Sequence, residues 1–269
     1  MGARAIPLVR GARRGHDSPS LRSAAVRVRS PDRSAARTHR FARAARGELV
    51  VTADRVGRYR VTKRVKETPL DGRGASGSRS NDAGSRLLCD AERQGDAAAR
   101  RLYVVRLASE KTRESLADSF VACTSLVSDH VLGVLDAGSF GDRVYLAMSL
   151  GDASSLSGLR DAISRAPAEQ RAAIVASIGA DVAKGLAAGH DHAGRGFVHD
   201  AIDPDSVYVD ATGRARVDPA FLDPWIAAET LATSAAAFVA PERWTAPTSS
   251  DTDVRALAAI LTLVLGPAS

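Results

Sequence analysis

Short runs in which apolar and polar residues alternate dominate the chain from residue 49 to residue 149, and stretches with a three-to-four-residue apolar spacing dominate the remainder. Alternation predicts half-buried strands, and the longer spacing predicts helices. Strands are expected at LVVT and RYRVTKRV (residues 49–52 and 58–65). A polar Gly/Ser stretch from Asp71 to Ser85 reads as a loop, after which strands resume at RLLCDA and RLYVVRLA (86–91 and 101–108). Leu116, Phe120, Cys123 and Val127 recur at spacings of 4, 3 and 4, one face of a helix. VLGVLDAG and DRVYLAMS (131–138 and 142–149) form the next strand pair. Ile174, Ile178, Val182 and Leu186 mark a long helix, Val198 to Val217 is strand-rich, and a last helix carries Val254, Leu257, Leu261 and Val264 on its face. A strand-rich half with one helix followed by a helix-rich half indicates α+β organisation.

Composition narrows the class without changing that outline. The 269 residues are 45% hydrophobic and 25% charged, as in ordinary soluble globular proteins. Two cysteines, Cys89 and Cys123, cannot build a disulfide framework, so the reducing cytoplasm is the expected location. The longest apolar run, Ala256 to Leu265, is shorter than the roughly 20 residues of a spanning helix, so no membrane segment is expected. The formal charge of +6 is unevenly spread: residues 1–47 hold 12 arginines against 2 aspartates, leaving 25 basic and 29 acidic residues beyond them. Residues 1–50 therefore read as a basic, disordered tail. A misplaced start, polyanion binding and organellar targeting remain open readings of it. Nucleic acid is not an expected partner except through that tail.

The stretch FVHDAIDPDSVYVDATGRARVDPAF, Phe197 to Phe221, carries the chemistry. Without a gap it resembles the catalytic and metal-binding loops of bacterial Ser/Thr protein kinases, which read HRDLKPxN and then DFG. In that register His199 is the motif histidine, Pro204 the loop proline and Gly213 the turn glycine. Ala240, Pro241 and Glu242 resemble the APE motif, Asp253 the aspartate that opens a long lobe helix, and Met148 the gatekeeper. The resemblance implies a bilobal protein-kinase-like fold: a small β-rich N-lobe at 54–148, and a helical C-lobe at 149–269 that lacks the family's final helices.

The same resemblance implies ATP and magnesium, yet the residues that would handle them are replaced. Ala201 stands at the position of the proton-accepting aspartate, Asp203 at the lysine that steadies the γ-phosphate, and Ser206 at the asparagine metal ligand. Pro219, Ala220 and Phe221 match DFG, and of the acidic cluster Asp200, Asp203, Asp205 and Asp218, Asp218 is the foremost candidate to take the place of the missing metal ligand. Arg106 matches the lysine of the VAIK strand, with Ser119 near the glutamate that should pair with it, and Ala235 replaces a threonine before the APE segment. The expected nucleotide-pocket residues are Arg106, Met148, Ser206 and Asp218, with no catalytic residue and no metal site.

GRGASG, Gly72 to Gly77, matches a phosphate-binding pattern but sits in a Gly/Ser-rich loop, where a flexible connection is the competing reading. His190 and His192 lack further ligands and are expected to be structural or solvated. Thr230, Thr233 and Ser234 fall where the family has its activation loop and are candidate phosphosites. The expectation is a catalytically impaired pseudokinase acting as a signalling scaffold or regulator, with an active atypical Ser/Thr kinase as the alternative. Its partners would be a forkhead-associated-domain protein or an active kinase.

Overall fold

The computed structural model describes residues 55–70, 84–93, 95–199, 202–224, 226, 238 and 249–266. The tail at 1–50, the LVVT strand, the Gly72–Gly77 loop, Asp200, Ala201, the Thr230, Thr233 and Ser234 phosphosites, and Ala235, Ala240, Pro241 and Glu242 lie outside the described residues.

The first lobe is a six-stranded antiparallel sheet built from β1 (Arg55–Val56), β2 (Tyr59–Pro69), β3 (Ser85–Arg93), β4 (Asp96–Arg106), β5 (Val134–Phe140) and β6 (Arg143–Met148). Its strand order is β1-β2-β3-β4-β6-β5. Strand β4 shows why the pattern was readable. Leu102 and Val104 point to one face, with Tyr59 and Ala147. Tyr103 and Val105 point to the other, where helix α1 (Glu110–Cys123) lays Leu116 and Phe120. The Ser109 hydroxyl caps α1 by accepting from the Thr112 amide at 3.3 Å.

The expected face of α1 overruns its end, because Val127 is 93% exposed. The hydroxyls of Thr124 and Ser125 donate back to the carbonyls of Val121 and Ala122, closing the chain into turns before Val127 is reached.

The second lobe contains β7 (Ser154–Ser155), α2 (Leu156–Ser164), α3 (Ala168–His190), β8 (Val198–His199), β9 (Val207–Val209), β10 (Ala215–Val217), β11 (Phe221–Leu222) and α4 (Ser250–Leu265). Helix α2 has only Leu156 and Ile163 buried, too sparse a signal to have been read from spacing. Helix α3 buries Val175, Ile178, Val182 and Leu186 and leaves Ile174 at its margin. Helix α4 buries Ala256, Leu257, Ile260 and Val264, while Val254 faces outward.

At 23 residues α3 is long and apolar enough to cross a membrane, which the longest-run criterion overlooked. Its apolar face lies in the core of the second lobe with α4 and β10, and Glu169, Gln170 and Lys184 are exposed on its other side. A further apolar cluster joins the lobes, running from Val105, Phe120 and Met148 to Val198, Tyr208, Leu222 and Ile226.

Candidate functional site: the cleft between the lobes

The floor of the cleft is the segment from β8 to β10. Asp203 folds its first turn by itself: its Oδ1 accepts from the amides of Asp205 and Ser206 at 2.9 and 3.0 Å and from the Ser206 hydroxyl at 3.2 Å. Strands β9 and β10 then form a hairpin whose turn is closed by Asp210 and by Gly213 at φ 85°. The Asp218 amide returns to the Ser206 carbonyl at 2.8 Å, which brings both residues to the cleft.

Two buried aspartates hold this floor. Asp218, 2% exposed, accepts from His199 Nε2 at 2.9 Å and from the Ala220 amide at 3.1 Å through the same Oδ1. Asp253 at the start of α4, also 2% exposed, accepts from the His199 amide and from His190 Nε2, each at 2.8 Å. His190 is thus a structural residue. His192 donates to the Ala122 carbonyl at 3.1 Å, which likewise ties the α3 end to α1. The Pro204 carbonyl accepts from the Ser157 amide at 3.1 Å, fixing the floor to the start of α2.

The roof consists of three neighbouring strands, each sending one cation downward. Lys66 of β2 places Nζ 3.0 Å from Asp203 Oδ2 and 2.7 Å from Asp205 Oδ2. Arg86 of β3 lies 3.6 Å from Asp203 Oδ2 and donates to the Tyr103 hydroxyl at 3.2 Å. Arg101 of β4 donates to the Tyr208 hydroxyl at 3.2 Å and to Asp90 at 2.7 Å. Asp205 also accepts from the Ser157 hydroxyl.

Burial alone would lower the Lys66 pKa, but the facing charges of Asp203 and Asp205 outweigh it and hold the ammonium above its ordinary value. Burial would likewise raise Asp205; the hydrogen bonds from Lys66 and Ser157 outweigh it and hold the carboxyl below its ordinary range.

These contacts leave a cavity of about 10 Å³ lined by Lys66, Arg86, Tyr103, Asp203, Ser206 and Asp218 among others. That is room for roughly one water molecule. Two of the polar groups at this cavity are already engaged. Asp218 Oδ1 is committed to His199 and Ala220, and the Ser206 hydroxyl to Asp203. Among the described residues no three His, Cys, Asp or Glu side chains converge to hold a metal ion.

Of the pocket residues expected from sequence, Ser206 and Asp218 line the cleft. Met148 is fully buried in the apolar cluster that joins the lobes. Arg106 is a correction. It shares the strand face of Leu102 and Val104, is 62% exposed and pairs with Asp142 at 2.5 Å, away from the cleft. Ser119 does not meet it; its hydroxyl donates to Asp223 at 3.3 Å. Reasoning from sequence missed Lys66, Arg86, Tyr103 and Arg101. The parity of RLYVVR was the available signal, since residues 101 and 103 must share one face and 106 the other.

No protein-family model matches the chain, and no curated protein matches it. Among solved structures, the kinase domain of Mycobacterium tuberculosis PknI is similar in a cysteine-to-alanine variant, with a TM-score of 0.51, 20% identity and coverage of 78% of this chain and 74% of that one. A second structure of that kinase domain gives a TM-score of 0.51 and 17% identity over 78% and 75% of the two chains. The likeness establishes the architecture: a protein-kinase-like α+β fold, with a curled sheet lobe set on a helical lobe.

Proposed function

We propose that this chain is a pseudokinase: a kinase-like domain that has lost phosphoryl transfer and acts in the cytoplasm as a scaffold or regulator of signalling. The observation that carries this reading is the set of ion pairs that bridges the cleft. Between the lobes Lys66 and Arg86 reach to Asp203 and Asp205, and the cavity these residues line holds about 10 Å³. The sequence adds Ala201, without a proton acceptor, where the resembled loop has its aspartate. Protein partners follow from this reading: a forkhead-associated-domain protein that reads phosphothreonine, or an active kinase that acts on Thr230, Thr233 or Ser234.

The test is a thermal-shift titration with ATP, with and without magnesium, because a ligand that binds the folded state alone must raise its melting temperature. The expected result is a cooperative transition unmoved by either condition. The one observation favouring an active kinase is the Asp218 carboxylate at the cleft wall. A magnesium-dependent rise in Tm, with autophosphorylation lost in Asp218→Ala, would establish that alternative.

A further inference from the structure

The cleft is bridged by opposite charges drawn from opposite lobes. Asp203 is 1% exposed, and both cations that face its Oδ2, Lys66 and Arg86, stand on the sheet above it. Asp205 shares Lys66 and is steadied from the helical lobe by Ser157. Meanwhile Asp203 Oδ1 is used entirely within its own turn. One oxygen therefore folds the floor, and the other is turned toward the roof.

A buried carboxylate is costly unless its counterions are present, whereas the same carboxylate in a parted cleft is solvated by water. Removing a cation from the roof therefore penalises the closed arrangement and not the open one. An element with such a difference in free energy between two arrangements is a population switch.

We propose that Asp203 and Asp205 serve as a built-in anion for Lys66 and Arg86, so that the chain's own ion pairs, rather than a bound ligand, hold the lobes closed. The proposal rests on the pseudokinase reading, in which the cleft is not a nucleotide site, and assigns that cleft a regulatory role: a partner that engages the catalytic-loop segment or strand β2 must break the bridge, and one that reads the closed face gains by it.

The experiment is hydrogen–deuterium exchange on the full chain, comparing wild type with Lys66→Met, Lys66→Arg, Asp203→Asn and the Lys66→Met/Asp203→Asn double variant. Lys66→Met keeps the aliphatic stem of a side chain that is 30% exposed, and Asp203→Asn keeps an acceptor oxygen for the turn. Each of these two variants is expected to speed exchange in residues 202–209 and 63–69 by roughly ten- to hundredfold, the scale of a lost charged hydrogen bond. Exchange in α3 and α4 should stay unchanged. The double variant should exchange more slowly than the sum of the two single effects predicts, since both remove the Lys66–Asp203 pair while Lys66–Asp205 and Arg86–Asp203 are lost separately. Lys66→Arg should remain close to wild type.

Single-variant exchange equal to wild type, effects that simply add, or a Lys66→Arg as open as Lys66→Met would each overturn the proposal. If Asp203→Asn fails to fold, the two Lys66 variants decide alone. An ATP-induced rise in wild-type Tm would overturn the nucleotide-blind reading separately, whatever the exchange cycle gives. Conversely, additive exchange in a chain that ignores ATP would remove the bridge and leave that reading standing.

Discussion

Asp203 and Asp253 show how much single carboxylates decide in this molecule. Asp203 was legible as a departure, an acid where the resembled loop carries the lysine that steadies the γ-phosphate. Its partners Lys66 and Arg86 lie 137 and 117 positions earlier in the chain, a pairing no local pattern announces. Asp253 was legible as a landmark, and its two donors explain it: the His199 amide and His190 Nε2 both end on Oδ2. Replacing Asp253 by alanine leaves the His199 amide buried without that acceptor and is expected to cost about 1–3 kcal/mol. Asp253→Asn, which keeps an acceptor oxygen, is expected to lose less. Urea denaturation of the three chains gives the comparison, and equal stability of all three would show that the carboxylate does not hold β8 to α4.

Among the elements, helix α3 is the one whose periodicity was clearest and whose packing was least readable. Ile178, Val182 and Leu186 were placed correctly on its buried face, but the helix also approaches its neighbours through glycines, which leave no mark on a hydrophobic pattern. A Cβ at Gly185 would stand 2.4 Å from the His130 carbonyl oxygen, and one at Gly189 would run into the Phe221 ring. That carbonyl is itself the acceptor for the Val217 amide at 3.0 Å, so it cannot swing away without breaking the segment that leads into the cleft floor. Gly185→Ala should therefore destabilise the chain by about 1–3 kcal/mol, although alanine is the better helix former. A variant as stable as wild type in chemical denaturation would mean that the helix can shift away from the segment at 130–132. Strand β4 teaches the complementary lesson. Its existence followed from alternation, but the assignment of Arg106 to the pocket ignored the parity that alternation itself imposes.

For the whole molecule, charge pairing between the lobes sets a pH window. Asp205 has a lowered pKa in the folded chain, so its contribution to stability is present above the ordinary carboxylate value of about 3.9 and is lost as pH falls through the lowered one. Lys66 has a raised pKa, so its contribution is complete below about 10.4 and is lost as pH rises through the raised value. The Tm difference between wild type and Lys66→Met should be largest and flat from about pH 5 to about pH 10, shrinking on either side. A difference that persists unchanged in acid would show that packing of the lysine stem, not its charge, is responsible. Local periodicity was enough to read the α+β order of elements and most of the buried face of the long helices, because each of these is written in neighbouring residues. Which charges face one another across the cleft, which side of β4 looks into it, and where glycine permits close approach emerge only from the folded chain. Each is a relation between segments distant in sequence, and how the two lobes pack sets the distances between them.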